Sequence, residues 1–421
     1  MRKPQKLKRG FLFFVYPSLI WAAGSMRADD FQGSTHMLEF EKPPLGYKDK
    51  MATDLVATLN KSLRANRASG WKEYHPKFGY LLAVLEMLGV PVSSQMLVFS
   101  KTSVQRRFID SENPRALYFS DDVYVGFVPG APDLEIATVD PALGTVFYTV
   151  SQDDSEPLRF RRNDDCLSCH ASARTMGVPG FVVRSLDADA TAEIIAGTDT
   201  NNVTHCTPIE ERWGSWLVSN TPSNWGHRGN ALGTGEARIP IEEKLLNRVF
   251  ESTKYPSKGS EIVPLILHDH QTHMHNYITR LNMEAQQRMA SYGNLRYLES
   301  QIRAFLRYLL FVEEAPLPSP ISGSKEFIES FQKNARRDSQ GRSLKDLDLQ
   351  TRIFRFPCSF LLDSDAFRKM SVPVREAILS RLHKVLQGEN PDPQFEKLSS
   401  ADRKAILEIL KETAPDLTAG W

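Results

Sequence analysis

Residues 166–170 read Cys166-Leu167-Ser168-Cys169-His170, and the rest of the chain has to be arranged around this stretch. Two cysteines separated by two residues and followed at once by histidine are typical of a c-type haem attachment site. Each thiol can add to one vinyl group of a haem, and the adjacent histidine can then ligate the iron as the proximal axial ligand. The motif therefore predicts one covalent haem c, with Cys166 and Cys169 on the ring and His170 on the iron.

The same five residues have three other interpretations. A zinc half-site would need two further ligands, and the chain has no second Cys-x-x-Cys and no His-x-x-x-His. A redox-active pair of the thioredoxin type would not need the histidine. Coincidence is the third: with four cysteines and ten histidines in 421 residues, chance gives this pattern in roughly one such chain in a thousand. Haem attachment is therefore the favoured interpretation, provided that the chain is exported.

The N-terminus has the form of a secretory signal peptide. Basic residues come first, an apolar run follows at 11–23, and small residues at 22–24 or Ala28 offer a cleavage point. The run is short for a transmembrane helix, although an uncleaved anchor stays open. We expect residues 1–28 to be a signal peptide and the mature chain to be periplasmic or exported, with no transmembrane span after cleavage.

Composition is that of a globular protein, with 41% hydrophobic and 24% charged residues. The formal net charge of +1 gives no basic excess, so nucleic acid is not an expected partner. Beyond the haem pair only Cys206 and Cys358 remain. In an oxidising compartment they could form a disulfide, and the sequence leaves that question open.

Periodicity predicts an α+β fold. Helical spacing is seen from Thr53 to Leu63 and over 81–88. Short β-branched and aromatic runs separated by turn residues then predict an antiparallel sheet, with strands at 116–119, 123–128, 134–139, 145–150, 180–186, 192–195 and 215–218. The haem motif is thus expected on a loop or short helical turn within a sheet-rich region. Arg161 and Arg162, just before it, are expected at a solvated strand end rather than on the haem propionates.

From about residue 241 onward the pattern is helical, with segments at 268–277, 278–292, 295–309, 374–386 and 401–410. These patterns predict an antiparallel sheet-rich, haem-bearing lobe with N-terminal helices, followed by a C-terminal helical lobe. The expected division is a signal peptide at 1–28, a haem c-bearing α+β domain at 29–235 and a helical domain at 236–421.

What occupies the sixth position of the iron would decide the chemistry. A methionine or histidine there gives an electron carrier, whereas an open position allows ligand binding or peroxide chemistry. His205 and His227 are candidates because they flank a segment rich in arginine and tryptophan. Hydrogen bonding within a loop is the alternative role for both. Met176 is close after the motif and is expected to pack in the core.

A second group of candidates is the run Leu-His-Asp-His-Gln-Thr-His-Met-His-Asn at 267–276. On a helix, His270, His273 and Met274 share one face, and His268 and His275 lie on another. The functional roles are a distal haem ligand, His270 or Met274, or a separate metal site. A polar helix face held by ordinary hydrogen bonds is the alternative.

With these motifs together, the chain resembles a family of exported, single-haem proteins described as cytochrome c domain-containing. The resemblance covers about residues 90 to 421 and is carried by segments 102–107, 115–119, 123–126, 166–170, 212–216, 227–230, 270–271, 274–276 and 356–359. It implies a haem and an exported location rather than a reaction, and it places His205, His227, His270 and His275 in family motifs. This chain has Arg228 where the family usually has methionine, which argues against a methionine ligand there. It has Cys206 where a basic residue is common, which argues against a disulfide shared across the family.

The leading hypothesis is a periplasmic mono-haem c-type cytochrome that exchanges electrons with a redox partner protein. One rival is a peroxidase-like oxidoreductase in which Arg212 and a distal histidine act on a bound ligand. The other is a haem-based sensor with an exchangeable sixth position. Length argues mildly against a simple carrier, because 421 residues are far more than one haem needs.

Overall fold

The computed structural model of the protein describes residues 36–65, 74–200, 202–235, 237–242, 246, 248–249, 253–389 and 392–421. The helices in these ranges are α1 (Leu55–Ala65), α2 (Leu81–Met87), α3 (Leu167–His170), α4 (Ile262–Tyr292), α5 (Glu299–Leu309), α6 (Lys325–Gln332), α7 (Asp365–Arg368), α8 (Val372–Gln387) and α9 (Ser400–Thr413). The strands are β1 (Met96–Val98), β2 (Arg115–Phe119), β3 (Val123–Phe127), β4 (Asp133–Asp140), β5 (Gly144–Ser151), β6 (Arg161–Arg162), β7 (Trp216–Leu217), β8 (Ala231–Gly233) and β9 (Arg238–Pro240). The predicted α+β class is confirmed. The predicted signal peptide lies outside the described residues.

The first seven strands form one antiparallel sheet in the order β6-β5-β4-β3-β2-β1-β7. Strands β1 to β6 follow one another as a meander, and β7 returns to pair with β1. The four predicted strands between 116 and 150 are confirmed as β2 to β5. Their alternating apolar runs and the intervening turns at Asp121-Asp122 and Pro129-Gly130 account for that success.

Two predicted strands, at 180–186 and 192–195, are wrong. The backbone of Gly180 bonds to His170, and both backbone groups of Phe181 bond to the side chain of Asn276, so this segment has no strand as its neighbour. At 192–195 the chain turns, with Ala192 at a positive φ of 67°. The third predicted strand, at 215–218, is confirmed in its centre as β7.

Each face of the sheet packs against a different layer. Residues such as Ala116, Tyr118 and Val125 pack with α1 and α2 in one hydrophobic core. Phe119 and Tyr124 point the other way and pack in a second core that contains most of α4. Because successive strand residues alternate between faces, every second residue of β2 to β5 lies on this second surface, here called the α4 face.

Helix α4 is the central element of the molecule. It has 31 residues, and every residue from Ile262 to Ala285 is buried. A helix buried on all sides is sandwiched between layers rather than laid on a surface. Here the sheet lies on one side and the C-terminal helices on the other, with Gly293 in the left-handed conformation (φ 66°) ending the helix. The sequence predicted two consecutive helices, 268–277 and 278–292, where the chain forms one.

The C-terminal helices share a core with the sheet. Phe119 and Tyr124 of the sheet belong to the same hydrophobic cluster as Phe305 of α5, Leu382 of α8 and Ile406 of α9. The division into domains at residue 235 stays a prediction. Among the described residues, no helix is both long and apolar enough to span a membrane.

Candidate functional site

The Cys-x-x-Cys-His motif lies on a short helical segment between β6 and β7. A 3-10 turn at Asp164–Cys166 leads directly into α3. The Asn163 side chain accepts a hydrogen bond from the Asp165 amide at 3.1 Å, and the Ser168 hydroxyl donates to the Asp165 carbonyl at 2.8 Å. Residues three and four positions apart share one side of a helical turn. The short helical turn predicted from the sequence therefore places Cys166, Cys169 and His170 on one side.

The imidazole of His170 is held in a single orientation. Its Nδ1 lies 3.0 Å from the carbonyl oxygen of Gly180, while its own carbonyl accepts a hydrogen bond from the Gly180 amide at 2.8 Å. Since a carbonyl only accepts, Nδ1 carries the proton and Nε2 keeps a lone pair. Burial lowers the pKa of His170, so the ring is neutral at pH 7. This is the tautomer and the kind of support found for metal-binding histidines.

Helix α4 fixes the partner of His170. The Asn276 side chain accepts from the Phe181 amide at 2.8 Å and donates to the Phe181 carbonyl at 2.8 Å. A Cβ on Gly180 would lie 2.3 Å from the Asn276 Oδ1 atom, so only glycine permits this approach. The orientation of His170 thus depends on a residue more than a hundred positions away.

Helix α3 lies over a part of the α4 face that helix α4 covers incompletely. We call this surface the α3 patch; its residues are Leu117, Gly126, Glu135, Ala137 and Phe147. Phe147 is in ring contact with His170, at 4.9 Å between centroids. The register places Leu117, Gly126 and Glu135 side by side on β2, β3 and β4, with Ala137 beside Phe147 in the next row. Leu117 and Ala137 are apolar and only half-buried.

An ion pair crosses the α3 patch. Arg115 of β2 donates to Glu135 of β4 at 3.0 Å, and the Ser103 hydroxyl donates to the same carboxylate at 2.5 Å. The pair spans the intervening strand β3 at Gly126, where a Cβ would lie 3.3 Å from the Glu135 carboxylate. Glycine at this position therefore lets the carboxylate lie over the strand. Both side chains are about one-fifth exposed, so water screens their charges only in part.

These residues fit a haem. Two thiols and a neutral imidazole with a free Nε2 lone pair share one side of α3, next to a surface with two half-buried apolar side chains, Leu117 and Ala137, and with Gly126, which has no side chain. Leu117, Ala137 and Phe147 supply apolar contact for a planar ring.

The cysteines do not have the properties of a redox-active or zinc-binding pair. Burial, assisted by the charges of Glu135 and Asp165, raises the pKa of Cys166 to about 11, so this thiol is protonated at neutral pH. A redox-active pair depends on a lowered thiol pKa. Nor do the described residues contain a cluster of three or more histidine, cysteine or acidic side chains arranged to bind a metal. All four cysteines are described, and none of them is joined in a disulfide, Cys206 and Cys358 included.

Two of the predicted distal candidates, His205 and His270, lie together in the core. Their Nδ1 atoms are 2.8 Å apart, and His270 Nε2 lies 2.9 Å from the Ser359 hydroxyl. Both rings are fully buried against Tyr308 and Phe311. Both nitrogens of His270 are therefore engaged, and no ring contact joins either histidine to His170 in the described structure.

The third candidate, His227, is half-buried beside Trp213, at 5.7 Å between ring centroids. Its Nδ1 is buried and makes no hydrogen bond within the described part of the chain. Burial lowers its pKa. As with His205 and His270, its role as distal ligand stays a prediction, and Met274 is packed without exposure in the core.

Arg212, the arginine of the peroxidase-like hypothesis, is occupied elsewhere. Its side chain is 1% exposed and bonds to the carbonyls of Thr207 and His205 and to the carboxylate of Asp269. Burial raises the pKa of Asp269 to about 7, while Arg212 and the Trp213 indole oppose that rise. Arg212, Asp269 and Trp213 therefore form a buried structural network, in which Arg212 does not extend towards a bound ligand.

The remaining expectations concern residues around the motif. Arg161 pairs with Glu156 at an exposed strand end, as predicted. Arg162 is only partly exposed and bonds to Asp164 at 2.8 Å and to the Tyr47 carbonyl at 3.1 Å. Met176 is buried in the core, as predicted. The predicted separation of helix faces is also confirmed, since His270 and His273 contact Tyr308 whereas His268 and His275 contact Tyr124 of the sheet.

Sequence reasoning missed the supporting residues Phe147, Gly180, Asn276, Arg115 and Glu135. Arg115 and Asn276 lie in segments that carried the family resemblance, so a signal existed without a role attached. Comparisons of the chain with models of protein families, with curated proteins and with solved structures found no match. The support for a function therefore comes from the geometry of the candidate site.

Proposed function

We propose that the protein is an exported mono-haem c-type cytochrome that takes part in electron transfer. The observation that carries the proposal is the hydrogen bond from His170 Nδ1 to the Gly180 carbonyl, at 3.0 Å. It leaves Nε2 as a neutral nitrogen ligand on the same helical turn as two thiols. A haem held there would supply the one-electron chemistry.

Each residue of the site has a definite task in this proposal. Cys166 and Cys169 form the thioether links, and His170 ligates the iron. Leu117, Ala137 and Phe147 pack against the ring and exclude water from one face. Asn276 and Gly180 keep His170 in the tautomer that leaves Nε2 free.

The exposure of α3 favours an electron-transfer role. Ser168 and Cys169 are exposed, whereas Cys166 and Leu167 are half-buried. A ring attached to Cys169 would have one edge near the protein surface, where a redox partner protein can approach it. Export rests on residues 1–28, and it suits haem attachment, which requires reduced thiols and haem to meet outside the cytoplasm.

The peroxidase-like alternative has less support. Its distal arginine, Arg212, is held by an ion pair and two carbonyls in the core. No specific observation favours the sensor hypothesis over electron transfer.

A spectroscopic redox titration of the exported protein tests the proposal, with Cys166→Ala/Cys169→Ala as the disrupted variant. Cys206→Ala is the matched control, because Cys206 is a half-buried cysteine outside the motif and is not in a disulfide. We expect one reversible one-electron couple in the wild type and the control, and none in the double variant. A wild type without a reversible couple, or a double variant that keeps it, would overturn the proposal.

A further inference from the structure

His268 lies on the side of α4 that faces the sheet. Its ring contacts Phe119, Tyr124 and Trp216, with centroids 5.7, 5.8 and 6.1 Å away. Phe119 is two residues from Leu117 on β2, and Tyr124 is two residues from Gly126 on β3, so they point to the same face. His268 therefore stands at the border of the α3 patch, the surface that also contacts His170.

The positive charge of Arg115 lowers the pKa of both His170 and His268. The Arg115 guanidinium, next to the α3 patch, acts on both His170 and His268, and its positive charge adds to burial in lowering the pKa of each ring. Among the other histidines of α4, the pKa of His270 is lowered by burial and by the charges of neighbouring histidines, and that of His273 by burial.

The geometry relates His170 and His268 directly: His268 contacts Tyr124, which pairs with Ala137, and Ala137 pairs with Phe147, which contacts His170. The two histidines therefore lie over the same row of the sheet.

His268 is also free to bind a ligand. Its Nδ1 is buried without a hydrogen bond within the described residues, and the side chain keeps 5% of its surface exposed. Burial lowers its pKa to about 3, so the ring is neutral. A buried ring nitrogen without a partner is available to a ligand, since buried polar groups normally find partners.

The other histidines of α4 either bond to protein groups or face away from the sheet. His275, seven residues further along the same helix face, has its Nε2 at 2.9 Å from the Asp121 carbonyl. His270 uses both nitrogens, with His205 and Ser359. Neither ring nitrogen of His273 is hydrogen-bonded within the described residues, but its ring lies on the helical side of α4, against Tyr277 and Tyr308, and not on the side that faces the sheet.

We infer that His268 is the second axial ligand of the haem, opposite His170. The inference rests on the proposed haem site and deepens it, because two histidine ligands make the iron six-coordinate and suit electron transfer rather than ligand binding. His268 belongs to the histidine run from which the sequence selected His270 and Met274.

Absorption spectra of the purified holoprotein, ferric and ferrous, with and without carbon monoxide, test this assignment. We expect a low-spin wild type that does not bind carbon monoxide. His268→Ala should become high-spin and bind carbon monoxide stoichiometrically, and added imidazole should restore the low-spin spectrum. His268→Gln, which retains bulk and polarity, should give the same change if the alanine variant folds poorly.

His270→Ala and His275→Ala are the matched controls, because both are buried histidines of α4 and should stay low-spin. A wild type that binds carbon monoxide, or a His268 variant that carries haem and stays low-spin, would overturn the inference. The two proposals fail separately. Without covalent haem in the wild type the proposed function fails, whereas covalent haem with an unchanged His268 variant defeats only the ligand assignment.

Discussion

At the scale of single residues, the ion pair between Arg115 and Glu135 is the main electrostatic feature beside His170. The two charges lie 3.0 Å apart, and both act on the pKa of His170, Arg115 lowering it and Glu135 raising it. A balanced pair leaves the local field near neutral. Removing one partner would therefore leave the iron of the proposed haem exposed to the uncompensated charge of the other.

We predict opposite shifts of midpoint potential for the two neutralising variants. Arg115→Gln removes a positive charge, which stabilises the ferric form and lowers the potential. Glu135→Gln removes a negative charge and raises it. Each shift should be about 40 mV, equivalent to roughly 1 kcal/mol for a one-electron couple at this partly screened position. Spectroelectrochemical titration measures both.

Arg161→Gln is the control for these shifts, since Arg161 lies on the exposed end of the sheet and its pair with Glu156 is open to water. Its potential should match that of the wild type. Equal shifts of the same sign in Arg115→Gln and Glu135→Gln would show that the pair acts through structure and not through charge.

At the scale of elements, α4 connects the motif to the core. Asn276 bonds to both backbone groups of Phe181, and Gly180 then holds His170. Asn282, six residues further along the same helix, makes a comparable pair of bonds, to the Pro141 carbonyl and the Ser371 amide. The two asparagines are similarly buried, and only Asn276 leads to the candidate site.

We predict that Asn276→Ala and Asn282→Ala both lose about 2–4 kcal/mol of unfolding free energy, because each leaves two backbone groups without partners. Only Asn276→Ala should also alter the haem spectrum and potential, since it releases His170. Chemical denaturation and absorption spectra measure the two effects. A spectral change of the same size in Asn282→Ala would argue against a specific support of His170.

The same elements show how much could be read from the sequence. Strands β2 to β5 and the helices α1, α2, α8 and α9 follow local periodicity, so they were predictable. The haem motif is local as well, because Cys166 to His170 span a single helical turn. Segment 180–186 was misread as a strand because its bonds go to Asn276, 95 positions away, and no local pattern encodes them.

The α3 patch could not be predicted from the sequence for a related reason. Its residues come from four strands, and only the register brings Gly126 beside Leu117 and Glu135. The helical face containing His268 was recognised, but the sequence did not show which face meets the sheet. That choice depends on the packing of α4 between two layers.

At the scale of the whole molecule, the core contains an unusual number of titratable groups. Burial is the largest cause of a lowered pKa in seven described histidines, namely His170, His205, His227, His268, His270, His273 and His275. It also raises the pKa of three carboxyl groups to about 7, those of Asp122, Asp269 and Glu314. As the pH falls, the buried histidines decrease the stability of the folded protein, whereas the three buried carboxyl groups increase it.

We predict that stability falls as the pH falls from 6.5 to 5. In this range the unfolded chain protonates the histidines while the folded chain does not, so each histidine costs up to about 1.4 kcal/mol per pH unit. The three carboxyl groups are protonated when folded and ionised when unfolded, which offsets part of this loss. Because the seven histidines outnumber the three carboxyl groups, the net loss of stability is on the order of a few kcal/mol per pH unit.

Urea denaturation at pH 7, 6 and 5 measures this dependence. The unfolding free energy should decrease from pH 7 to pH 6 and again from pH 6 to pH 5. A free energy that is flat or increases towards pH 5 would mean that the buried histidines are not neutral in the folded protein.

The intact mass of the exported protein, measured under denaturing conditions, tests the central claim most directly. Expressed together with a c-type haem maturation system, the chain should gain the mass of one haem, and the peptide containing Cys166 and Cys169 should carry it. A chain that leaves the same system without added mass, while a known c-type cytochrome is loaded in parallel, would contradict the account.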